Sequence, residues 1–183
     1  ADHTPGDGRP RHRLWRMRAG HIVTATGAIE RPLSFAGNDI PGVMLASAVR
    51  DYVVNWAVSP GDRTVIVTNN DDAYRTALAL LDAGLVVPAI IDARPEAKGP
   101  LPDEARARGL RVIAGHGIAK VKGSKRVTGV SLCVQAGEGA ELETISCDAV
   151  AMSGGWSPVV HLWSHCGGKL IWDEAQAMFR PDA

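Results

Sequence analysis

The sequence lacks the features that mark membrane, secreted or nucleic-acid-binding proteins. Its 183 residues include only three cysteines, and 20 basic residues balance 20 acidic ones, so the formal net charge is zero. No apolar run approaches the roughly 20 residues that a membrane span needs, and a neutral chain has no electrostatic attraction to nucleic acid or to an anionic membrane. Cys133, Cys147 and Cys166 form no CxxC pair, which favours reduced thiols in a cytoplasmic protein over a disulfide framework.

The first ten residues, ADHTPGDGRP, have no apolar core, so we expect no signal peptide. The chain does not begin with methionine, and we therefore expect it to be part of a longer polypeptide.

Hydrophobic periodicity predicts an α/β fold. The predicted elements are strands at 11–17 and 21–26, a helix at 44–56, a strand at 64–68, a helix at 71–83, a strand at 85–91 and a short helix at 103–108. The 64–68 strand is apolar on both faces, as in parallel sheets. Glycine-rich turns between 111 and 155 indicate a β-meander that ends in an apolar strand at 148–152. We predict a three-layer, Rossmann-like parallel sheet with an antiparallel meander packed on it; the residues after 160 have no clear pattern.

Residues 64–94 have the frame of a dinucleotide-binding βαβ unit, but the turn between strand and helix lacks glycine. The three glycine positions of that motif fall on Thr68, Asn70 and Ala73. Ala73 still allows close packing of helix and strand, and Asn70 tolerates a left-handed backbone. The Asn70 side chain, however, would occupy space that a pyrophosphate needs. Asn69 and Asn70 therefore remain candidates for a degenerate nucleotide-binding turn.

Two acidic residues at the start of the predicted helix weaken the case for a phosphate there. Asp71 and Asp72 would cap and stabilise the helix, and would also repel a pyrophosphate. Asp92, at the end of the next strand, is placed to bind ribose hydroxyls. Arg94 beside it suits either a phosphorylated ribose or a salt bridge to Asp92. The alternative is a well-capped helix and an ordinary strand end without a ligand.

A weak internal echo links two segments that both end in a hydroxyl residue and glycine. HIVTATG ends at Thr26 and Gly27, and DAVAMSG ends at Ser153 and Gly154; a proline follows each within five residues. The echo suggests a duplicated architecture with two similar strand ends.

The sequence resembles the alpha subunit of heterotetrameric, flavin-dependent sarcosine oxidase across nearly its whole length. The markers are Ala25-Thr-Gly-Ala28 followed by Glu30-Arg-Pro32, then Pro41-Gly-Val-Met44, the Thr68-Asn-Asn-Asp71 turn with Ala73-Tyr74, and Ser153-Gly-Gly-Trp-Ser-Pro158. The asparagine turn is itself typical of that family.

The resemblance implies a domain like the NAD domain of FAD/NAD-linked disulfide-reductase-like flavoproteins. Residues 1–40 would lead from an absent Rossmann domain, residues 41–157 would form an inserted second dinucleotide-type domain, and residues 158–183 would return to the first. It also implies oxidation of sarcosine to glycine with formation of hydrogen peroxide and transfer of a one-carbon unit to tetrahydrofolate, with NAD held mostly outside this chain and FAD and FMN in the full complex. The partners implied are the other oxidase subunits and the rest of the alpha chain.

Under this resemblance the cofactor-binding candidates are grouped at two strand ends and one turn. They are Thr26, Gly27, Asn69, Asn70, Asp92, Ser153, Gly154, Gly155 and Trp156. We expect no catalytic residue in the chain, which by itself would be non-catalytic. Two other hypotheses stay open: a stand-alone pyridine-nucleotide or flavin binding module that docks to an amine oxidase or dehydrogenase, and a purely structural spacer.

Two further groups of residues are weaker candidates. His161 and His165, at i and i+4 with Cys166 next to them, have a spacing that metal ligands can use, but no further ligand set is evident, so packing or loop histidines are favoured. Without a cysteine pair, disulfide reduction is disfavoured. Trp156, directly after the glycine pair, is the tryptophan best placed to stack on a flavin.

Overall fold

The computed structural model describes residue 12 and residues 14–135 and 139–182. Its elements in chain order are β1 (Ala28–Glu30), β2 (Val43–Leu45), α1 (Ala46–Trp56), β3 (Thr64–Thr68), α2 (Asp72–Asp82), β4 (Ile90–Asp92), α3 (Pro100–Ala107), β5 (Val112–Ala114), β6 (His116–Gly123), β7 (Val127–Val134), β8 (Thr144–Ile145), β9 (Ala149–Ser153), β10 (Trp156–Pro158), α4 (His161–His165), β11 (Leu170–Asp173) and β12 (Met178–Pro181).

A five-stranded parallel sheet forms the centre of the fold, in the order β2-β9-β3-β4-β5. Strand β9 joins the sheet late in the sequence and lies between β2 and β3. The register pairs Thr68 at the end of β3 with Ser153 on one side and with Asp92 on the other. The ends of three strands predicted to carry functional residues therefore meet at one edge of the sheet.

The sheet separates two hydrophobic layers, which confirms the predicted three-layer α/β fold. Because side chains alternate along a strand, Ile66 of β3 packs among the helices while Val65 and Val67 pack against the meander. Strands β6, β7 and β8 form that antiparallel meander on the face opposite the helices. Both layers contain buried aliphatic side chains, and β3 is buried on both faces, as predicted.

Helix α2 carries the most regular apolar face of the chain. Its buried side chains are Ala73, Tyr74, Thr76, Ala77, Leu78 and Leu80. The helix ends before Gly84, which adopts φ +77° and whose N–H donates to the carbonyl of Leu81. This is the stop predicted from the sequence, because glycine takes the left-handed conformation without steric cost.

Two small antiparallel pairs lie outside the main sheet. Strands β1 and β10 form a ribbon in which Ala28 pairs with Pro158 and Glu30 with Trp156. Strands β11 and β12 form a hairpin in the tail that the sequence pattern did not resolve, with Trp172 and Phe179 in edge-to-face contact at 5.1 Å between ring centroids. The ribbon and the hairpin contact each other beside the edge of the parallel sheet.

The predicted strands at 11–17 and 21–26 are wrong. Residues Arg11 and Arg13 lie outside the described part of the chain, as do the first ten residues, but residues 14–27 contain no strand. Side chains such as Leu14 and Val23 are 88% and 90% exposed, so the alternating pattern found no sheet to pair with or core to cover. Pairing begins only at β1, which has β10 as its partner.

Three further boundaries differ from prediction for identifiable reasons. Residues 43–45 were expected to fall in a loop and helix start, yet they form the edge strand β2 because β9 offers an open edge. Residues 112–114 were assigned to the meander and instead pair in parallel with β4. The predicted strand at 85–91 is shorter in the structure: β4 begins at Ile90, after Pro88, which has no N–H for a ladder hydrogen bond. Residues 136–138, at the end of a predicted meander strand, lie outside the described residues.

Candidate functional site

The carboxyl ends of β3 and β9 lie side by side and bring together five of the predicted site residues. Parallel α/β sheets bind ligands at this kind of edge, where the strand order reverses. The connection after β3 leads to Asn69 and Asn70, and the connection after β9 leads through Ser153 to Gly154 and Gly155. The sequence placed these five residues in one set of cofactor-binding candidates, together with Thr26, Gly27, Asp92 and Trp156.

The asparagine turn is tied directly to the end of β9. The side-chain amide of Asn70 donates to the Oγ of Ser153 at 3.0 Å and to its carbonyl oxygen at 3.2 Å. The backbone N–H of Asn69 also donates to the Ser153 carbonyl, at 3.4 Å. These bonds close the gap between the two strand ends, in the place where a glycine turn would leave room for a pyrophosphate.

The turn also uses the backbone N–H groups that a phosphate would need. Thr68 Oγ1 accepts from the N–H of Asn70 at 3.0 Å, and Asn70 Oδ1 accepts from the N–H of Asp72 at 3.0 Å. The N–H of Tyr74 donates to the carbonyl of Asp71. A helix N-terminus binds anions through free N–H groups, and much of this one is already satisfied from within the turn.

The predicted capping role of Asp71 is wrong, because its side chain makes no capping hydrogen bond. Asn70 supplies the capping oxygen instead. Asp71 pairs with Arg94 at 2.8 Å, and Asp72 accepts hydrogen bonds from Nη2 and Nη1 of Arg50 at 3.1 and 3.3 Å. Each of the two carboxylates therefore has an arginine partner, which weakens its repulsion of a phosphate. The main obstacle to phosphate binding here is the turn itself, whose space is filled by the Asn70 side chain.

Asp92 lies at the end of β4 and is fully buried. Its carboxylate accepts from the Tyr74 hydroxyl at 2.7 Å, from the Arg94 side chain at 2.7 to 3.2 Å and from the Arg94 N–H at 3.0 Å. Of the two uses considered for Arg94, the structure contains the salt bridge to Asp92. The hydrogen bond that Arg94 donates to Asp92 raises the pKa of Arg94. Burial, and to a smaller extent the hydrogen bond that Tyr74 donates to Asp92, raises the pKa of Tyr74. In this arrangement Asp92 joins β4 to α2 and presents no exposed oxygen to a ribose.

A cleft of about 690 Å³ lies next to the asparagine turn. It is bounded by Arg31, which follows β1, by Trp156 of β10, by the two asparagines and two glycines of the strand ends, and by the tip of the β11–β12 hairpin at 175–178. Arg31 connects these walls: its Nη1 donates to the carbonyl of Ala177 at 2.9 Å and its Nη2 to that of Gln176 at 3.2 Å. Trp156 is half-buried at the side of the cleft.

The two glycines are required by the close approach of the chain at Arg31 and Pro32. Gly155 has φ +93°, and a Cβ there would lie 2.8 Å from Arg31 Nη2. At Gly154 a Cβ would lie 2.9 Å from the carbonyl oxygen of Pro32. Backbone bonds from Gly154 to Arg31 and from Arg31 to Gly155, of 2.7 and 2.8 Å, hold the crossing together. The glycine pair thus keeps one wall of the cleft free of side chains.

Thr26 and Gly27 lie at the far end of the ribbon, away from this cleft. The Thr26 hydroxyl donates to the carbonyl of Val159 at 2.5 Å, and the Val159 N–H donates to the carbonyl of Gly27 at 3.0 Å. The two similar segments therefore lead into neighbouring strands, β1 and β10, that pair with each other. The structure does not bring Thr26 and Gly27 to the ends of β3 and β9.

Sequence reasoning missed two residues near the site: Arg31, which lines the cleft, and Glu30, which precedes it and is buried. Glu30 is 4% exposed; its Oε2 accepts from the Ser47 N–H at 2.9 Å, at the start of α1, while Oε1 is buried without a partner among the described residues. Both residues belong to the Glu-Arg-Pro motif that carries the family resemblance, but a sequence motif does not show where a side chain points. Alternation along β1 could have indicated that they face opposite ways.

His161, His165 and Cys166 lie in and beside the five-residue helix α4, and all three are exposed. Within the described residues no three metal-ligating side chains come together. In the same part of the chain, none of the helices has the length and apolar character required to cross a membrane.

The chain is similar to sarcosine oxidase alpha subunits. It is 42% identical to that of Rhizobium meliloti (strain 1021) over 96% of this chain and 17% of the relative, and 40% identical to that of Corynebacterium sp. (strain P-1) over all of this chain and 19% of the relative. An opine oxidase subunit of Rhizobium meliloti is 27% identical over 90% of this chain and 34% of the relative. The chain thus spans less than a fifth of the length of the first two relatives.

Solved structures of similar fold include two reductase-type proteins. The thioredoxin reductase of T. acidophilum matches with a TM-score of 0.62 and 20% identity, over 81% of this chain and 47% of that one. A FAD-dependent pyridine nucleotide-disulphide oxidoreductase from Desulfovibrio vulgaris matches with a TM-score of 0.57 and 18% identity, over 80% of this chain and 38% of that one. No protein-family model matches the chain. The predicted fold is confirmed, and by sequence the chain is a relative of the sarcosine oxidase alpha subunit that matches one segment of it.

Proposed function

We propose that the chain is the central nucleotide-type domain of a sarcosine-oxidase-type alpha subunit. The observation that carries the proposal is the identity of about 40% to such subunits over the whole of this chain. In the proposed assembly the domain supports oxidative demethylation of sarcosine to glycine, with formation of hydrogen peroxide and transfer of a one-carbon unit to tetrahydrofolate. The chain by itself is non-catalytic.

The domain division follows from the same proposal. Residues 1–40 lead from a Rossmann domain outside this chain, residues 41–157 form the inserted domain, and residues 158–183 lead back. The antiparallel pairing of β1 with β10 supports this division, because it places the segment that enters the inserted domain beside the segment that leaves it.

We infer that NAD is held mainly by the Rossmann domain outside this chain. The filled asparagine turn and the occupied Asp92 support this, since they leave neither a pyrophosphate space nor a free ribose acceptor. FAD and FMN belong to the full heterotetrameric complex, in which this domain contacts the other subunits and the rest of the alpha chain. Free thiols at all three cysteines suit a reducing, cytoplasmic setting.

A segment exchange tests the proposal. The matching segment of the Rhizobium meliloti alpha subunit is replaced by this chain, the hybrid is co-expressed with the other subunits, and oxygen consumption with sarcosine is measured. We expect the hybrid to assemble and to oxidise sarcosine. A hybrid that assembles with its full set of flavins but shows no turnover with sarcosine, while oxidising another secondary amine, would contradict the substrate part of the proposal.

A control exchange shows whether assembly depends on this particular sequence. The same position receives the corresponding part of the T. acidophilum thioredoxin reductase, which has the fold at 20% identity. We expect that hybrid to lose assembly, because the surface facing the other domains is no longer matched. If the two hybrids assembled equally well, the domain would act only as a structural spacer.

A further inference from the structure

Basic residues are concentrated at one end of the antiparallel meander, where β6 turns into β7. Four of the seven residues from 120 to 126 are lysine or arginine, and no aspartate or glutamate occurs between Glu104 and Glu138. This group is the basic patch, and its members are Lys120, Lys122, Lys125 and Arg126. A chain whose formal net charge is zero thus carries a local excess of positive charge.

The charges of the basic patch have no carboxylate partner among the described residues, because none of the ion pairs there involves the patch. On the helix side of the sheet, by contrast, arginines are paired, as Arg50 is with Asp72 at 3.1 Å. Three members of the patch are exposed, and Lys122 is half-buried. The four charges are therefore available to a partner.

Hydrogen bonds hold the patch in a fixed position. Strand β6 ends at Gly123, whose φ of +136° is a conformation that glycine adopts without strain. The Val121 N–H donates to the carbonyl of Ala36 at 2.8 Å, and the Val127 N–H donates to the carbonyl of Pro41 at 3.0 Å. Both strands of the turn are thus bound to one neighbouring loop, which reduces the entropy that a partner would lose on binding the patch.

The patch lies at the opposite edge of the parallel sheet from the connections of the domain. Pro41, which is bonded to Val127, precedes β2 and so lies at the amino edge of the sheet. The ribbon of β1 and β10 follows β9 at the carboxyl edge. The segments proposed to lead to the rest of the alpha chain leave from that ribbon, so the patch is left free for a separate subunit.

The surroundings of the patch favour carboxylates over nucleic acid as its partner. From residue 116 to residue 145 the meander contains no phenylalanine, tyrosine or tryptophan on which a base could stack. Lys122 Nζ donates to Thr144 Oγ1 at 2.9 Å, and Thr144 is exposed, so this amine lies on the solvent-facing side of the meander. Ammonium and guanidinium groups without base-stacking side chains suit aspartate and glutamate.

We propose that the basic patch contacts an acidic segment of another subunit of the oxidase, whose carboxylates pair with its four cations. The inference rests on the proposed function, which gives the chain other subunits as partners, and deepens it by assigning the surface and the charge of one contact. Lysine is strongly hydrated and is depleted in the centre of interfaces. The patch therefore belongs to the rim of the contact, where charges set its orientation and its salt dependence.

Carbodiimide cross-linking of the hybrid complex from the segment exchange tests the inference, because this reagent joins a lysine amine to a carboxylate only where the two are in contact. Mass spectrometry then locates the links. We expect links from Lys120, Lys122 or Lys125 to aspartate or glutamate of another subunit. Lys98, which pairs with Glu96 at 2.5 Å, is the internal control and should be linked within the chain. If Lys98 is linked and no lysine of the patch is linked to another subunit, the inference is wrong.

Neutralising the patch measures its effect on the assembly. The four-residue variant, with glutamine at every position of the patch, should dissociate from the other subunits at about tenfold higher concentration in low salt, and the difference should disappear at about 0.5 M NaCl. The control removes the same charge from the helix side, by substituting glutamine for Arg75, Lys98, Arg106 and Arg108. An effect of equal size in the control, or no effect in the patch variant, would overturn the inference.

Failure of the inference is distinguishable from failure of the proposed function. A hybrid that does not assemble would refute the proposed function together with the contact that rests on it. An active hybrid without links from the patch to another subunit would refute only the contact. If the assembled complex retained nucleic acid and the four-residue variant released it, the partner would be a nucleic acid and the choice of an acidic subunit would be wrong.

Discussion

The phenolic oxygen of Tyr74 lies 2.7 Å from Oδ2 of Asp92, and both side chains are completely buried. Tyr74 belongs to α2 and Asp92 ends β4, so the bond joins the helix layer to the sheet. Burial raises the pKa of Tyr74 and the bond to Asp92 raises it further, so the phenol stays protonated and remains the donor. Asp92 occupies the position where the acid of a dinucleotide-binding βαβ unit binds ribose, but here its carboxylate binds Tyr74 inside the protein.

We expect Tyr74→Phe to lower the free energy of unfolding by about 1–3 kcal/mol, because a buried carboxylate loses one of its donors. Chemical denaturation measures the change. Tyr52→Phe is the matched control: Tyr52 is 47% exposed and its substitution should stay within about 0.5 kcal/mol. Equal losses at the two tyrosines would show that the Asp92 bond contributes nothing of its own.

Substitutions at Asn70 distinguish its two roles in the turn. Asn70→Ala removes both the capping oxygen and the amide that reaches Ser153, and should cost about 1–2 kcal/mol. Asn70→Asp keeps an oxygen for the Asp72 N–H and loses only the amide, so its cost should be intermediate. Asp71→Asn, at a partly exposed ion pair, should cost less than about 1 kcal/mol. If denaturation curves showed a larger loss of stability for Asp71→Asn than for Asn70→Ala, Asp71 would be the capping residue after all.

The contact between Gly155 and Arg31 predicts a specific cost for adding a methyl group. Gly155→Ala places a Cβ 2.8 Å from Arg31 Nη2 at φ +93° and should destabilise the fold by about 1–3 kcal/mol. Gly84→Ala is the matched control, since Gly84 has φ +77° but open space around its Cβ. Thermal unfolding compares the two. A loss at Gly155 no larger than the loss at Gly84 would mean that the backbone angle alone matters.

Alkaline conditions should destabilise the chain through Cys147. Burial, with a smaller effect of Asp148, raises the pKa of this thiol from 9.0 to about 12. The unfolded thiol then ionises at lower pH than the folded one, so the stabilisation is complete below pH 9 and is lost as pH rises toward 12. Cys147→Ala should flatten this decline in denaturation experiments between about pH 8 and 11, while Cys166→Ala, at an exposed thiol, should leave it unchanged. An unaltered slope in Cys147→Ala would assign the decline to other groups, Tyr74 first.

The predictable parts of the fold are those in which local sequence and global packing agree. Strand β3 is apolar on both faces, α2 has a regular apolar face and ends at Gly84, and β9 repeats the pattern of β3. These elements carry the strand ends on which Asn70 and Ser153 lie, whereas the hydrogen bond between the two residues is visible only in the structure.

The remaining parts depended on partners that no local pattern specifies. The 21–26 segment alternates like a strand but meets no sheet edge, whereas the shorter β2 becomes a strand because β9 lies beside it. Asp92 resembles a ligand acceptor until the Tyr74 hydroxyl and the Arg94 side chain are placed in three dimensions. The direction of Arg31 likewise follows from its contact with the hairpin, which the sequence did not resolve.

The pairing of β1 with β10 also determines how the domain would respond to mechanical load. Ala28 and Pro158 are neighbours in register, so tension applied through the two flanking segments pulls the ribbon apart from one end, one residue pair at a time. The ribbon would open in this zipper fashion at low force before the load reached the five parallel strands. Because Trp156 belongs to the ribbon and also lines the cleft, opening the ribbon would open the cleft while the five parallel strands stay paired.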